Sequence, residues 1–232
     1  MYTDSIYGTA PLIASYLKNH SFKGSVYIIG SSGISTELTA VGISSMGVGP
    51  DPIPSNEFLE QVAGLEFDPD VKAVVVGFDP YFDYAKLLRA ASYLQSPDVL
   101  FIASNSDERF PMSTSPIVVP GTGSILASVK VASAREPIIL GKPTTHIFEA
   151  IQHDHNIDPK RTLMIGDNVK TDILMGKNCG LATMLVLTGV TTEQELHDFE
   201  NSSNPTEQYL VPDYYMPSIG DLMPLLQKSV NS

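Results

Sequence analysis

Apolar positions along this chain recur in two alternating spacings. Residues 5–19 carry Ala10, Ile13, Ala14 and Leu17 at helical intervals, which predicts an amphipathic helix closed by Gly24. A repeating unit follows, in which a short apolar run ends in glycine or an acid and then passes into helical spacing. Residues 26–30 precede 35–41 in this way, residues 71–77 precede 84–94, and 100–104 form a further run. Unbroken apolar runs of this length are what strands buried on both faces look like, so these are successive βα units of a parallel sheet. Between the first two units, residues 47–64 hold Pro50, Pro52 and Pro54, too much proline for a central strand. Residues 105–120 make a second long loop, and a loop of that length inside a domain lines a site or marks a boundary.

From Pro120 the text PGTGSILASVKVAS opens another helix, with Gly121 and Gly123 at its start. Glycines there either cradle a phosphate or form a tight turn into the helix; without a following Lys and Ser or Thr, the tight turn is the simpler reading. A third α/β set follows Pro137: a strand at 138–140, the loop Gly141-Lys142-Pro143, a helix at 144–155, strands at 162–165 and 183–187, and between these a helix from Val169 ended by Gly180. Residues 201–208 read as a polar, mobile stretch, 213–215 as a short edge strand and 219–228 as a closing helix. The fold class is α/β, built from βα units of a parallel sheet.

Composition narrows the partners. With 43% hydrophobic residues in 232 the chain has a real core, and its net charge of -12 argues against a nucleic-acid or anionic-membrane partner, leaving any phosphate site local. Its one cysteine, Cys179, has no internal partner for a disulfide; no basic-plus-apolar leader and no bilayer-length apolar run is visible, which points to a reducing, cytoplasmic setting. Cys179 has no histidine or other base near it in sequence and reads as a packing residue.

The richest stretch for chemistry is TLMIGDNVKTDILMGKNCG, residues 162–180. Asp167 follows the strand at the carboxyl edge of a sheet, where open α/β sheets bind ligands, and Asp172 lies one turn into the next helix. Two acids there suggest a hard cation held by oxygen; the plainer alternative is a helix-capping Asp167 and a solvated Asp172. Lys142, fixed by Pro143 before a helix start, is placed to meet an anion, although Gly-Lys-Pro alone is also an ordinary loop. Asn105, Asp107 and Arg109 share the loop after another strand; Arg109 could fork onto a small anionic substrate or pair with Asp107 or Glu108. Asp79 and Asp83 also follow a strand at its carboxyl end, or else cap the helix from Tyr84, whereas Asp68-Pro69-Asp70 precedes its strand and reads as a turn. His146, His153 and His155 lack a shared helical face for metal binding.

GKPTTHIFEAI followed by RTLMIGDNVKTDILMGKNCGLATMLVLTGV resembles the third and fourth motifs of haloacid dehalogenase-type phosphatases, in the branch of 4-nitrophenylphosphatase and phosphoglycolate phosphatase. Weaker similarity in VYIIGSSG, KAVVVGFDPYFDY and PGTGSILASV extends over nearly the whole chain. The resemblance implies that Lys142 neutralises the transferring phosphoryl group, that Asp167 ligates Mg²⁺, and that Asp172 orients the site. It implies an α/β cap domain over residues 22–136, a partial doubly wound core made of 1–21 and 137–232, and a substrate loop at 105–111 in which Arg109 with Phe110 is similar to the phosphoglycolate branch. Family members begin with a strand ending in Asp-x-Asp-Gly, the nucleophile and acid, and then a Ser or Thr phosphate motif, neither of which occurs in these residues.

The expectation is therefore a Mg²⁺-dependent phosphatase of small phosphorylated metabolites in a form lacking its nucleophile and inactive alone. It carries an open apolar edge beside strand 162–165 and a homodimer formed through the cap or that edge. The alternative is a non-catalytic binding or dimerisation module. A weaker third reading is a redox or nucleotide-binding α/β protein built on the Gly30–Gly33 turn.

Overall fold

The computed structural model describes residues 5–51, 62–110, 116–224 and 227. The chain divides into two compact units, Met1–Gly141 and Lys142–Ser232.

In the first unit, helix α1 (Thr9–Asn19) leads to β1 (Ser25–Ile29), α2 (Ser32–Ala40), β2 (Ser45–Met46), β3 (Val71–Val76), α3 (Tyr84–Tyr93) and β4 (Leu100–Ala103). A short antiparallel ribbon, β5 (Arg109–Phe110) with β6 (Val119–Pro120), precedes α4 (Thr122–Ser133) and β7 (Ile138–Ile139). The parallel sheet runs β2-β1-β3-β4-β7. Tyr27, Ile29, Val74, Val76, Phe101 and Ala103 pack with Ala90 and Tyr93 of α3 and Ile125 and Val129 of α4. The intervening Val26, Ile28, Ala73, Val75 and Ile102 are buried as well, which is why these strands read as continuous apolar runs.

The opening helix, expected to join residues 137–232, packs on α2 inside the first unit, and β7 extends that unit's sheet beside β4. It starts at Thr9 rather than residue 5, because Gly8 is extended. Residues 105–120, expected as unbroken loop, contain the β5–β6 ribbon. Pro52, Pro54 and Pro111 lie outside the described residues, as does most of 219–228 beyond residue 224.

The second unit holds α5 (His146–His155), β8 (Leu163–Gly166), a wide π-type turn (Val169–Ile173) continuing into α6 (Leu174–Asn178), β9 (Ala182–Val186), α7 (Glu193–Glu200), α8 (Pro205–Gln208) and β10 (Tyr214–Met216). Its strands are parallel in the order β10-β9-β8, so β9 is the only strand beside β8 among the described residues. Val169, Ile173, Leu185, Leu196 and Leu210 form the core. β10 is the edge strand expected near 213–215, and Asp213 fastens its start to β9: its carboxylate accepts the Thr183 N–H and hydroxyl, both at 2.8 Å. Those bonds hold the Asp213 carboxyl below the usual carboxylate range.

Helix α7 was missed, although its signal is in the sequence. Thr192 and Glu195 form a capping box, each accepting from the other's backbone. Residues 201–208 are likewise not a bare polar stretch, because Asn204 caps the N–H of Thr206 and Pro205 opens α8.

Candidate active site

The second unit brings Lys142, Asp167 and Asp172 to one rim. The Lys142 ammonium donates to Asp172 Oδ1 at 2.6 Å, with the lysine side chain 42% exposed and the aspartate 4%. Asp172 Oδ2 accepts the N–H groups of Asp167 and Asn168, each at 3.1 Å. Asp172 is therefore the structural hub, and its burial is tolerable because both oxygens are occupied by a cation and two backbone donors.

The local backbone explains this placement. Ile173 N–H reaches back five residues to Asn168 O at 3.3 Å while Asp172 N–H takes the same oxygen at 2.8 Å, so the chain makes one wide turn before α6. That turn brings the Asp172 side chain over the exit of β8, where Gly166 leaves room for it: a Cβ on Gly166 would stand 2.2 Å from Asp172 Cβ. The capping alternative is corrected on both counts. Asn168 caps, accepting Lys170 N–H at 2.9 Å, and Asp172 is buried, not solvated.

Asp167 is held by the segment after β9. Its Oδ2 accepts the Val190 N–H at 3.0 Å, its carbonyl accepts Thr191 N–H at 2.9 Å, and Thr191 Oγ1 accepts Val169 N–H at 3.1 Å. Gly189 lies flat against the carboxylate, since a Cβ there would fall 1.7 Å from Asp167 Oδ2. Residues 189–191 were given no role from sequence; a glycine immediately after an apolar run was the available signal. Oδ1 of Asp167 takes no hydrogen bond among the described residues. Because the Lys142 and Asp172 charges offset each other, Asp167 is the uncompensated acid of the trio and favours a cation.

In the first unit Asn105 and Asp107 are half-buried and Arg109 is exposed. Asn105 Oδ1 is buried with no hydrogen-bond partner among the described residues. The glycines Gly121 and Gly123 serve close backbone approach, not a phosphate: their N–H groups go to Glu108 O and Asp107 O, both at 2.8 Å. A Cβ on either would stand 2.4 Å from a carbonyl oxygen of Asp107 or Ser106. Asp83 caps α3, accepting Lys86 N–H at 2.9 Å. Asp79 does something the sequence reading did not foresee, pairing at 2.5 Å with Lys86 where both side chains are fully buried. Asp68 accepts the Asp70 N–H at 2.8 Å, the turn anticipated for that acid pair.

His153 is paired with Asp154 at the surface, and no group of three His, Cys, Asp or Glu capable of holding a metal occurs among the described residues. Burial, aided by the Glu149 charge, pushes the Cys179 thiol up to about 11, so it stays protonated at neutral pH and packs as a small apolar residue. No helix among the described residues is long and apolar enough to cross a membrane.

Comparison with known proteins gives the class of protein that carries these strand-turn-helix units and this lysine–acid rim. The family model described as haloacid dehalogenase-like hydrolase matches residues 18–180, and a HAD-hydrolase-like model matches 139–222. This chain belongs to the haloacid dehalogenase-like hydrolase family, among its phosphatases. It is 43% identical over 224 residues to a glycerol-3-phosphate phosphatase of Gallus gallus, covering 96% of this chain and 71% of that protein. It is 40% identical over 199 residues to chronophin of Homo sapiens, covering 86% of this chain and 62% of that protein. Among solved structures, a hypothetical protein from Pyrococcus horikoshii superposes with a TM-score of 0.73 at 29% identity, covering 97% of this chain and 77% of that one. A 4-nitrophenylphosphatase from Thermotoga maritima superposes at 0.71 and 25% identity, covering 94% and 72%.

Proposed function

We propose that this chain carries the charge-neutralising part of a Mg²⁺-dependent phosphatase site for small phosphate monoesters, in a cytoplasmic setting. The observation that carries the reading is the Lys142–Asp172 pair hooked onto the Asp167–Asn168 backbone, which leaves Asp167 free to face a cation. Lys142 offsets the charge on the phosphoryl oxygens, and Asp172 holds the lysine and the turn in register. The fit to Mg²⁺ is that of one carboxylate: this ion keeps several waters and takes one or two carboxylates plus substrate phosphate, and Asp167 Oδ1 is available for that. When bound, the ion supplies electrostatic stabilisation to the phosphoryl group. Asn105, Asp107 and Arg109 of the first unit are proposed as substrate contacts, with Asn105 Oδ1, unpartnered among the described residues, as an acceptor in waiting. No Asp-x-Asp-Gly occurs in these 232 residues, so a nucleophile of that type is not assigned to any of them.

Titration calorimetry with glycerol 3-phosphate and Mg²⁺ tests this. Lys142→Met is expected to weaken binding by about tenfold to a hundredfold, the worth of a hydrogen bond to a charged group. Asp167→Asn is expected to abolish the dependence on Mg²⁺. Affinity that ignores both changes contradicts the proposal. The side of β8 away from β9, which pairs with no strand among the described residues, favours a second reading, a module that pairs with another polypeptide, including a second copy, and survives chelator where the phosphatase reading needs the cation.

A further inference from the structure

Within the first unit, Tyr27 of β1, Gly47, Asp51, Glu66, and Arg89 and Tyr93 of α3 are among the residues that line a cavity of about 310 Å³. That volume lies at the small end of the range for ligand pockets. Tyr27 is only 2% exposed, yet its hydroxyl takes no hydrogen bond among the described residues. A buried hydroxyl without a partner bears the full cost of its desolvation, and folded proteins leave very few in that state.

Tyr93, its neighbour, shows the ordinary solution: its hydroxyl accepts the Asp68 N–H at 3.2 Å. The two rings lie with centroids 5.4 Å apart and planes at 41°. On another side, a Cβ on Gly47 would stand 3.0 Å from Tyr27 Cε2. Held between these contacts, the Tyr27 ring keeps its hydroxyl inside.

The charges around the cavity decide which kind of molecule complements it. Arg89 Nε stands 2.8 Å from Asp51 Oδ2, so the two charges offset each other, although the Nε–H is not aligned as a hydrogen bond. Glu66 is exposed and has no cation paired with it among the described residues, which leaves the lining one negative charge in excess. An anion is therefore disfavoured, the more so in a chain of net charge -12. Burial, with the Asp51 charge adding to it and Arg89 opposing, pushes the Tyr27 hydroxyl well above its usual value, so it stays a neutral phenol. A phenol oxygen able to accept, two aromatic rings and an uncompensated carboxylate together complement an ammonium group on a small apolar body.

We propose that this cavity binds a small organic ammonium, which donates an N–H to the Tyr27 hydroxyl oxygen, has its charge offset by Glu66, and lays its apolar body against the Tyr27 and Tyr93 rings. All the residues invoked belong to the Met1–Gly141 unit, and the proposal does not depend on the phosphatase reading.

Phenethylammonium is the probe, with phenethyl alcohol and phenylacetate as its neutral and anionic counterparts, each titrated into the full chain and followed by chemical-shift mapping. The amine shifts the amides of Tyr27, Gly47 and Arg89 and binds about tenfold more tightly than the alcohol, with phenylacetate weakest. Tyr27→Phe, which keeps the ring, weakens the amine about tenfold, and Glu66→Gln weakens it about threefold, the scale of an exposed charge pair. Thermal unfolding separates this role from a structural one. Since the hydroxyl gives up no bond inside the protein, Tyr27→Phe unfolds at the same temperature or higher, whereas loss of a structural hydrogen bond would lower it. The proposal is overturned if the amine causes no shifts at the cavity, which then holds water alone, or if either counterpart binds as tightly. Amine affinity that Tyr27→Phe leaves intact, or a lowered unfolding temperature in that variant, overturns it equally.

Discussion

Lys86→Met lowers the stability of the Met1–Gly141 unit by about 3–5 kcal/mol, the largest single-residue effect expected in this protein. The methionine conserves most of the volume, so the loss is not a cavity. It comes from leaving Asp79 charged with no solvent access, since neither side chain of the pair is exposed at all. The double variant Lys86→Met with Asp79→Leu recovers most of the loss, because two apolar side chains of similar size replace the pair without a stranded charge. Recovery stays incomplete by roughly 1 kcal/mol, as the Tyr81 N–H then loses its acceptor. Hydrogen exchange of the β1, β3 and β4 amides reads this out, since those strands open only with the unit. Unchanged exchange in Lys86→Met shows that the pair is dispensable.

Gly189→Ala removes site function and costs stability as well. The new methyl group lands on the Asp167 carboxylate and also stands 2.6 Å from Asp167 Cβ, so rotating the side chain gives only part of the relief, and the segment after β9 has to shift, breaking the Val190 N–H contact. On the phosphatase reading, Mg²⁺-dependent affinity for glycerol 3-phosphate falls about tenfold or more, and stability falls by about 1–3 kcal/mol. Gly166→Ala strikes the other acid in the same way: the methyl meets Asp172 at its Cβ, 2.2 Å away, and the turn itself has to move. That substitution costs about 1–3 kcal/mol of stability as well as the Lys142–Asp172 contact. Affinity and stability both unchanged in Gly189→Ala show that the geometry at Asp167 is misjudged.

How much of this was legible in the sequence depends on the range of the interaction. The order of βα units, and the placing of Asp167 at a strand exit, follow from periodicities that local burial imposes, and residues 162–180 announce them clearly. Helix α7 and the cap at Asn204 were also written locally, in Thr192-x-x-Glu195 and Asn204-Pro205. What periodicity cannot carry is side-chain pairing across a turn. Nothing in 169–178 signals that one wide turn will bury Asp172, because a π-type turn and an α-turn share the same apolar positions. The Lys86–Asp79 pair was hidden for a related reason: a lysine in the first turn of an amphipathic helix is ordinarily a solvated residue. The ring contact between Phe78 and Phe110 and the seat of Asp167 on Gly189 join segments far apart in sequence, and only the fold reveals them.

The central claim is that the rim made by Lys142, Asp167 and Asp172 receives a phosphoryl group. The most direct measurement is chemical-shift mapping of the full chain titrated with inorganic phosphate and Mg²⁺. The account predicts perturbations concentrated at Lys142, residues 166–172 and residues 189–191, and their loss in Lys142→Met. Perturbations centred elsewhere, or a pattern that Lys142→Met leaves unaltered, contradict it.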